Sequence, residues 1–179
     1  MFLQNMTVVS QSSTVKCILK QPKNDERPKV LPTLIELTRS NSTDTSSTVN
    51  IFGLLINVSL HSKGANGLRR LGAASLACET IRLHPADGSP DLLASSFALL
   101  HETYEASQHD EEGRSIGLAE NIIAAMKANP EDEMLHVNAC HLLARLSHDP
   151  LVRGLIQEPR AKEILQAAKR LFPLIELPQ

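Results

Sequence analysis

The chain has 179 residues, a formal net charge of −2, and few aromatic side chains, with one Tyr and no Trp. This balance argues against a general attraction to nucleic acid or to anionic membranes, and no apolar run is long enough to span a bilayer. Cys17, Cys78 and Cys140 are odd in number and widely spaced. We therefore expect reduced thiols and a cytoplasmic or nuclear protein.

The first third of the chain predicts a polar segment followed by helices. Residues 1–26 lack a sustained helical period, and we expect them to be partly disordered or to cap the first helix. Helix is predicted from about residue 27, where apolar residues recur at intervals of three and four. Residues 41–47 end that helix and offer several N-caps for a nearly all-apolar helix over 48–60.

The rest of the chain predicts helices in a repeating order of short, intermediate and long. Ser89, Pro90 and Asp91 form a strong start signal for a long helix. Arg69 and Arg70 are expected to face outward from the predicted short helix over residues 62–72. The predicted helices are 62–72, 73–84 and 90–107, then 110–117, 118–128 and 133–147, then 150–157 and 160–171.

Two features of the sequence, a proline and a pair of leucines, recur at the same intervals. Pro85, Pro130 and Pro173 are separated by 45 and 43 residues. Three leucine pairs keep the same two separations: Leu54-Leu55, Leu99-Leu100 and Leu142-Leu143. A helical period of about 40–47 residues is typical of armadillo and HEAT arrays, which offer an extended surface and seldom a catalytic pocket. We expect these leucines, together with Leu146, to form the core.

The predicted triplet resembles the armadillo repeat over residues 27–173. Residues 117–126 are similar to the second helix of the family, and residues 52–59 and 137–147 are similar to its third helix. The resemblance implies an all-α fold, a right-handed α-solenoid of armadillo-like three-helix repeats, with HEAT-like two-helix repeats as the alternative. Residues 174–179 would then form a C-terminal tail.

The third helices of armadillo proteins line a concave groove that holds a partner's extended backbone. The resemblance implies that Asn57, Glu102 and Arg145 occupy equivalent positions, of which only the first keeps the family's Asn. Importin members place Trp where this chain has Gly53, Ala98 and His141, which argues against binding of basic nuclear-import signals. The implied groove residues are Asn50, Asn57, Ser95, Glu102, Asn138, His141 and Arg145.

The sequence gives little support for a catalytic site or a metal-binding site. His101 and Glu102 could exchange protons, but no nucleophile motif or phosphate loop accompanies them, and neighbouring helix residues are expected to point apart. His136 and Cys140 have a spacing that can hold zinc, yet no second ligand cluster follows. We expect a buried Cys140 with surface histidines, no metal, no other cofactor and no enzymatic activity.

Two functions remain open. The first is a non-enzymatic scaffold that binds a protein or peptide along the concave groove, with no nucleic acid or membrane as partner. The alternative is a structural or assembly module that self-associates or docks through its repeat ends, which would give a homo-oligomer. This alternative is based on the apolar stretch over residues 171–177, where a terminal repeat is expected to be polar.

Overall fold

The computed structural model describes residues 30–41, 43–61, 64–84, 86, 88–104 and 114–178. The N-terminal segment 1–26 and the expected helix start at residue 27 lie outside these ranges. The described residues are helical and contain no strand, which confirms the all-α prediction. The helices are α1 (Val30–Ser40), α2 (Thr45–Ser59), α3 (Gly64–Arg70), α4 (Ala73–Leu83), α5 (Pro90–Thr103), α6 (Arg114–Ala128), α7 (Glu133–Leu146), α8 (Pro150–Gln157) and α9 (Pro159–Leu171).

Polar side chains cap four of the described helices at places that the sequence indicated. Asp132 accepts a hydrogen bond from the Leu135 backbone N–H at 2.7 Å, and Ser89 accepts one from Leu92 ahead of a proline in the first turn. Asp44 and Asp149 cap α2 and α8 in the same manner. Each cap satisfies a backbone donor that the helix itself leaves unpaired.

The helices pack in two rows. Helices α2, α5 and α7 lie side by side and form what we call the first row, while α1, α4, α6 and α9 contact one another in sequence as the second row. Consecutive helices pack across the rows, as α1 does on α2, α4 on α5 and α6 on α7. The short helices α3 and α8 follow α2 and α7 and contact them.

Hydrogen bonds join residues that are about one sequence period apart. Asn138 Nδ2 donates to the Ala94 carbonyl at 3.1 Å, and Arg145 Nη2 donates to the Tyr104 carbonyl at 3.2 Å. Because the earlier residue of α7 meets the earlier part of α5 and the later meets the later, the two helices run parallel. A third bond, from Asn129 to the Ala86 carbonyl, links the preceding loops at 2.8 Å.

The core lies between the two rows and contains almost all of the predicted leucines. Leu55, Leu99, Leu100, Leu142, Leu143 and Leu146 are at most 1% exposed. Leu54 is an exception, because its side chain is only partly buried. Helix α2 begins the first row and, within the described residues, has a row neighbour on one side only.

Two predicted helix boundaries are wrong. The expected short and intermediate helices around Gly117 are one continuous helix, α6. A side chain at Gly117 would meet nothing within 4 Å, so no close approach of another segment interrupts the helix there. Helix α5 ends at Thr103 instead of near residue 107, and Tyr104 follows it with extended backbone.

The apolar C-terminal tail folds back onto the domain. Phe172 packs its ring 5.5 Å from the ring of His136 in α7, and Ile175 is 4% exposed. Lys169 Nζ donates to the carbonyls of Pro173 and Ile175 at 2.7 and 2.6 Å. Leu174 is the contrasting residue, since 93% of its surface is exposed. Among the described helices, none is long and apolar enough to cross a membrane.

Candidate partner-binding groove

An open groove of about 640 Å³ lies where the C-terminal ends of α5 and α7 meet α3. Among the described residues, its lining combines two arginines, three histidines, Tyr104 and Ala144, with no carboxylate. The lining residues are Arg69, His101, Tyr104, His141, Ala144, Arg145 and His148. We call this cavity the α5–α7 groove.

The two arginines of the groove converge on the C-terminal end of α5. Arg145 donates to the Tyr104 carbonyl, and Arg69 Nε donates to the Thr103 carbonyl at 3.2 Å. The last carbonyls of a helix lack partners within the helix and carry a partial negative charge, so guanidinium groups are stabilised there. Arg69 is also held by Asn66, whose Oδ1 accepts from Nη1 at 2.6 Å. These bonds orient both guanidiniums while using only part of their donor capacity.

The histidines form the other side of the groove. The rings of His101 and His141 lie 5.8 Å apart between centroids, tilted by 39°. His101 Nδ1 lies 3.2 Å from Glu102 Oε1, so the two neighbouring side chains do not point apart as expected. Because a carboxylate only accepts hydrogen bonds, Nδ1 is the donor, and Nε2 is the remaining polar atom of the ring. His141 and His148 are exposed to solvent.

The structure distributes the seven predicted groove residues among four environments. His141 and Arg145 line the groove, and Glu102 contacts its neighbour His101 beside it. Asn50 is exposed on α2, and Asn138 ties α7 to α5 through the Ala94 carbonyl. Asn57 and Ser95 are buried, at 5% and 7% exposure, so they present little surface to a partner.

The two buried residues sit in the helix packing for different reasons. The Ser95 hydroxyl donates to the Leu92 carbonyl one turn earlier at 3.0 Å, which satisfies it without a ligand. Asn57 Oδ1 has no hydrogen-bond partner within the described ranges. Both side chains therefore contribute to contacts inside the array rather than to an open face.

Arg69 and His148 are groove residues that the sequence did not indicate. Arg69 was expected to face outward, but its bond to Thr103 turns it toward α5 and leaves it only partly exposed; Arg70 is exposed as expected. His148 follows the end of α7 and belongs to no helical period. A signal for Arg69 existed in principle, because the end of a long helix requires donors for its carbonyls.

His136 and Cys140 do not line the groove. Cys140 is fully buried as expected, and burial raises the pKa of its thiol to about 12, so it stays protonated near neutral pH. His136 is 2% exposed, so its expected place on the surface is wrong. Its Nε2–H donates to the Asn129 carbonyl at 3.0 Å, and the Phe172 ring covers it. The described residues hold no group of three His, Cys, Asp or Glu placed to bind a metal.

The chemistry of the α5–α7 groove is that of a binding surface rich in hydrogen-bond donors. Two arginines, three histidines and Tyr104 line one open space, and they come from α3, α5, α7 and the residues that directly follow α5 and α7. Arginine and tyrosine are common where proteins bind each other. No protein-family model, curated protein or solved structure matches the chain, so its function is inferred from the residues themselves.

Proposed function

We propose that the chain is a non-enzymatic interaction scaffold, a right-handed armadillo-like array that binds a segment of a protein partner along its first row of helices. The α5–α7 groove is the observation that carries this proposal. It is open, it lies between successive members of the row, and it is lined by side chains suited to hydrogen bonding. Repeat arrays use extended surfaces of this kind for binding.

The spacing of the first row fits an extended partner segment. Packed helices lie about 8–10 Å apart, and an extended chain advances about 3.3 Å per residue. Each helix of the row would therefore meet about every third residue of the segment. Of the residues expected at the groove, Glu102 in α5 is half-exposed and His141 in α7 is exposed, and Asn50 is exposed on α2.

A steric block in the groove tests the proposal. Ala144 is exposed on α7 and lines the groove, so Ala144→Tyr fills part of it without removing a core side chain. Ala124 is exposed on α6 in the second row, and Ala124→Tyr is the matched control. Peptides selected from a displayed library on the wild-type protein are then measured against both variants by isothermal titration calorimetry.

The proposal predicts a clear difference between the two variants. Ala144→Tyr should weaken binding of the selected peptides by about tenfold or more, equivalent to about 1.4 kcal/mol, and Ala124→Tyr should leave it within about twofold. Peptides that lose affinity with Ala124→Tyr alone would place the binding surface on the second row. Failure to select any peptide that binds would also contradict the proposal.

Self-association through the C-terminal end is a second candidate function, favoured by exposed leucines in that region. Leu151 in α8, Leu171 in α9 and Leu174 in the tail are 54%, 57% and 93% exposed. Sedimentation velocity over a range of concentrations tests this candidate. A dimer that Leu174→Glu converts to monomer would support it, and a monomer at about 100 µM would contradict it.

A further inference from the structure

We propose that the α5–α7 groove is specific for carboxylate-rich protein segments, which Arg69 and Arg145 bind through their guanidinium groups. This inference rests on the proposed scaffold function and names the chemistry of the partner. An acidic peptide is the occupant that best complements the charges and donors of the groove.

Among the described residues that line the groove, the charged side chains are all basic. Arg69 and Arg145 are both permanently cationic. The negative ends of the α5 and α7 dipoles together offset about one charge. The described lining residues therefore leave a net positive charge of about one, which an anionic segment would neutralise.

The arginines have no acidic partner of their own in the part of the chain that the structure describes. The ion pairs found there join Arg39 with Glu79 and His101 with Glu102; neither includes a guanidinium of the groove. Glu102 is the carboxylate beside the groove, and its contact at 3.2 Å is with His101. Arginines on protein surfaces commonly pair with carboxylates, and among the described residues no carboxylate takes that position at Arg69 or Arg145.

Both guanidiniums are held in place before a ligand arrives. The Thr103 and Tyr104 carbonyls and the Asn66 amide oxygen each accept an arginine N–H. Holding a side chain in one orientation lowers the entropy lost on binding. The remaining N–H groups of a guanidinium can then form paired hydrogen bonds with a carboxylate.

A labelled peptide tests this inference directly. The probe is a fluorescein-labelled peptide of about twelve residues that alternates Glu and Ser, about 40 Å long when extended. Two counterparts replace every Glu by Gln or by Lys. Fluorescence anisotropy gives the Kd of each peptide for the wild-type protein and for Arg69→Gln, Arg145→Gln and Arg153→Gln.

Arg153→Gln is the matched control for the charge of the protein. Arg153 also bonds a carbonyl at a helix end, that of Ser147 after α7, at 3.0 and 3.2 Å, but it does not line the groove. Its substitution removes the same charge and the same type of bond. Glutamine can still donate to the carbonyls, and circular dichroism melting confirms that each variant folds.

The expected result is tightest binding of the Glu peptide, with the Gln and Lys counterparts weaker by about tenfold or more. Arg69→Gln and Arg145→Gln should each weaken binding of the Glu peptide by about tenfold, and Arg153→Gln by less than about twofold. Arg145→Lys, which keeps the charge, should retain more affinity than Arg145→Gln.

Three results would overturn the inference: no binding of the Glu peptide up to about 1 mM, equal binding of the Gln peptide, or an equal loss with Arg153→Gln. The scaffold function fails separately. If the selected peptides are neutral or basic and Ala144→Tyr blocks their binding, the groove remains a binding site and only its preference for carboxylates is contradicted. If Ala144→Tyr does not change the binding of the selected peptides, both the scaffold function of the groove and its preference for carboxylates are contradicted.

Discussion

His136 is the residue at which burial has the clearest consequence for the chemistry of the folded state. Its ring is 2% exposed, its Nε2–H donates to the Asn129 carbonyl, and Nδ1 has no partner among the described residues. Burial is the main cause that lowers the pKa of His136 below its ordinary value, against smaller opposing effects from Asn129 and Asp132. The folded state therefore favours the neutral imidazole.

The lowered pKa predicts a loss of stability in mild acid. Because the unfolded chain binds a proton at His136 more readily than the folded chain does, the stabilising contribution is complete above about pH 6.5 and decreases as the pH falls through the folded-state pKa. Urea unfolding at pH 7.5 and at pH 5 should show a lower free energy of unfolding at pH 5. His136→Gln should reduce this difference, whereas His148→Gln, at an exposed position, should preserve it. Equal pH dependence in the wild type and His136→Gln would contradict the assignment.

Leu142 tests the packing of the first row at the level of one side chain. It is 0% exposed in α7, so Leu142→Ala should lower the free energy of unfolding by about 2–5 kcal/mol. Leu174→Ala is the matched control, because this side chain is 93% exposed and its loss should change stability by no more than about 0.5 kcal/mol. Urea denaturation measures the free energy of unfolding of both variants. If Leu142→Ala leaves it unchanged, the Leu142 side chain does not face the core.

Helix α3 shows how two glycines set the position of an element. A Cβ at Gly64 would collide with the Val58 carbonyl near the end of α2, so α3 starts in direct contact with α2. Gly72 has φ of 78°, a left-handed conformation that glycine adopts at little cost, and it lets α4 begin immediately after α3. This tight path brings Arg69 of α3 to the end of α5.

Alanine substitutions at Gly64 and Gly67 should have opposite effects on stability. Gly64→Ala should destabilise the fold by about 1–3 kcal/mol or more, because α2 or α3 has to move. Gly67 is in the same helix with nothing within 4 Å of its added Cβ. Gly67→Ala should therefore stabilise the fold by about 0.4–1 kcal/mol. Thermal and urea unfolding measure the stability of both variants. If Gly64→Ala and Gly67→Ala change the stability in the same direction, this packing of α3 is contradicted.

The elements that the sequence predicts well are those with local signals. Asp44, Ser89, Asp132 and Asp149 start helices because each bonds a backbone N–H within its own first turn. At the early end of α5, the carbonyls of Thr103 and Tyr104 accept hydrogen bonds from Arg69 and Arg145, which lie 34 and 41 residues away. Gly117 was read as a helix end, but one glycine inside a helix costs only about 1 kcal/mol, which packing of the neighbouring Ala119 and Ile122 can offset.

At the scale of the molecule, residues about one sequence period apart contact each other in neighbouring helices and loops. Hydrogen bonds join residues separated by 41, 43 and 44 positions, close to the step between the leucine pairs. The sequence period therefore matches the separation of residues that meet on neighbouring helices. It could not predict the α5–α7 groove in full, because the orientations of Arg69 and His148 depend on a short helix and on a helix end, outside the repeating pattern.

The most direct test of the binding surface is the map of backbone amide chemical-shift changes when a selected peptide is titrated into ¹⁵N-labelled protein. The proposed function predicts the largest changes over residues 101–104 and 141–148, with smaller changes along the exposed face of α2. Amides of the second-row helices α1, α4 and α6 should change little. Changes confined to that second row, or to the tail around Leu174, would contradict the binding surface proposed for this protein.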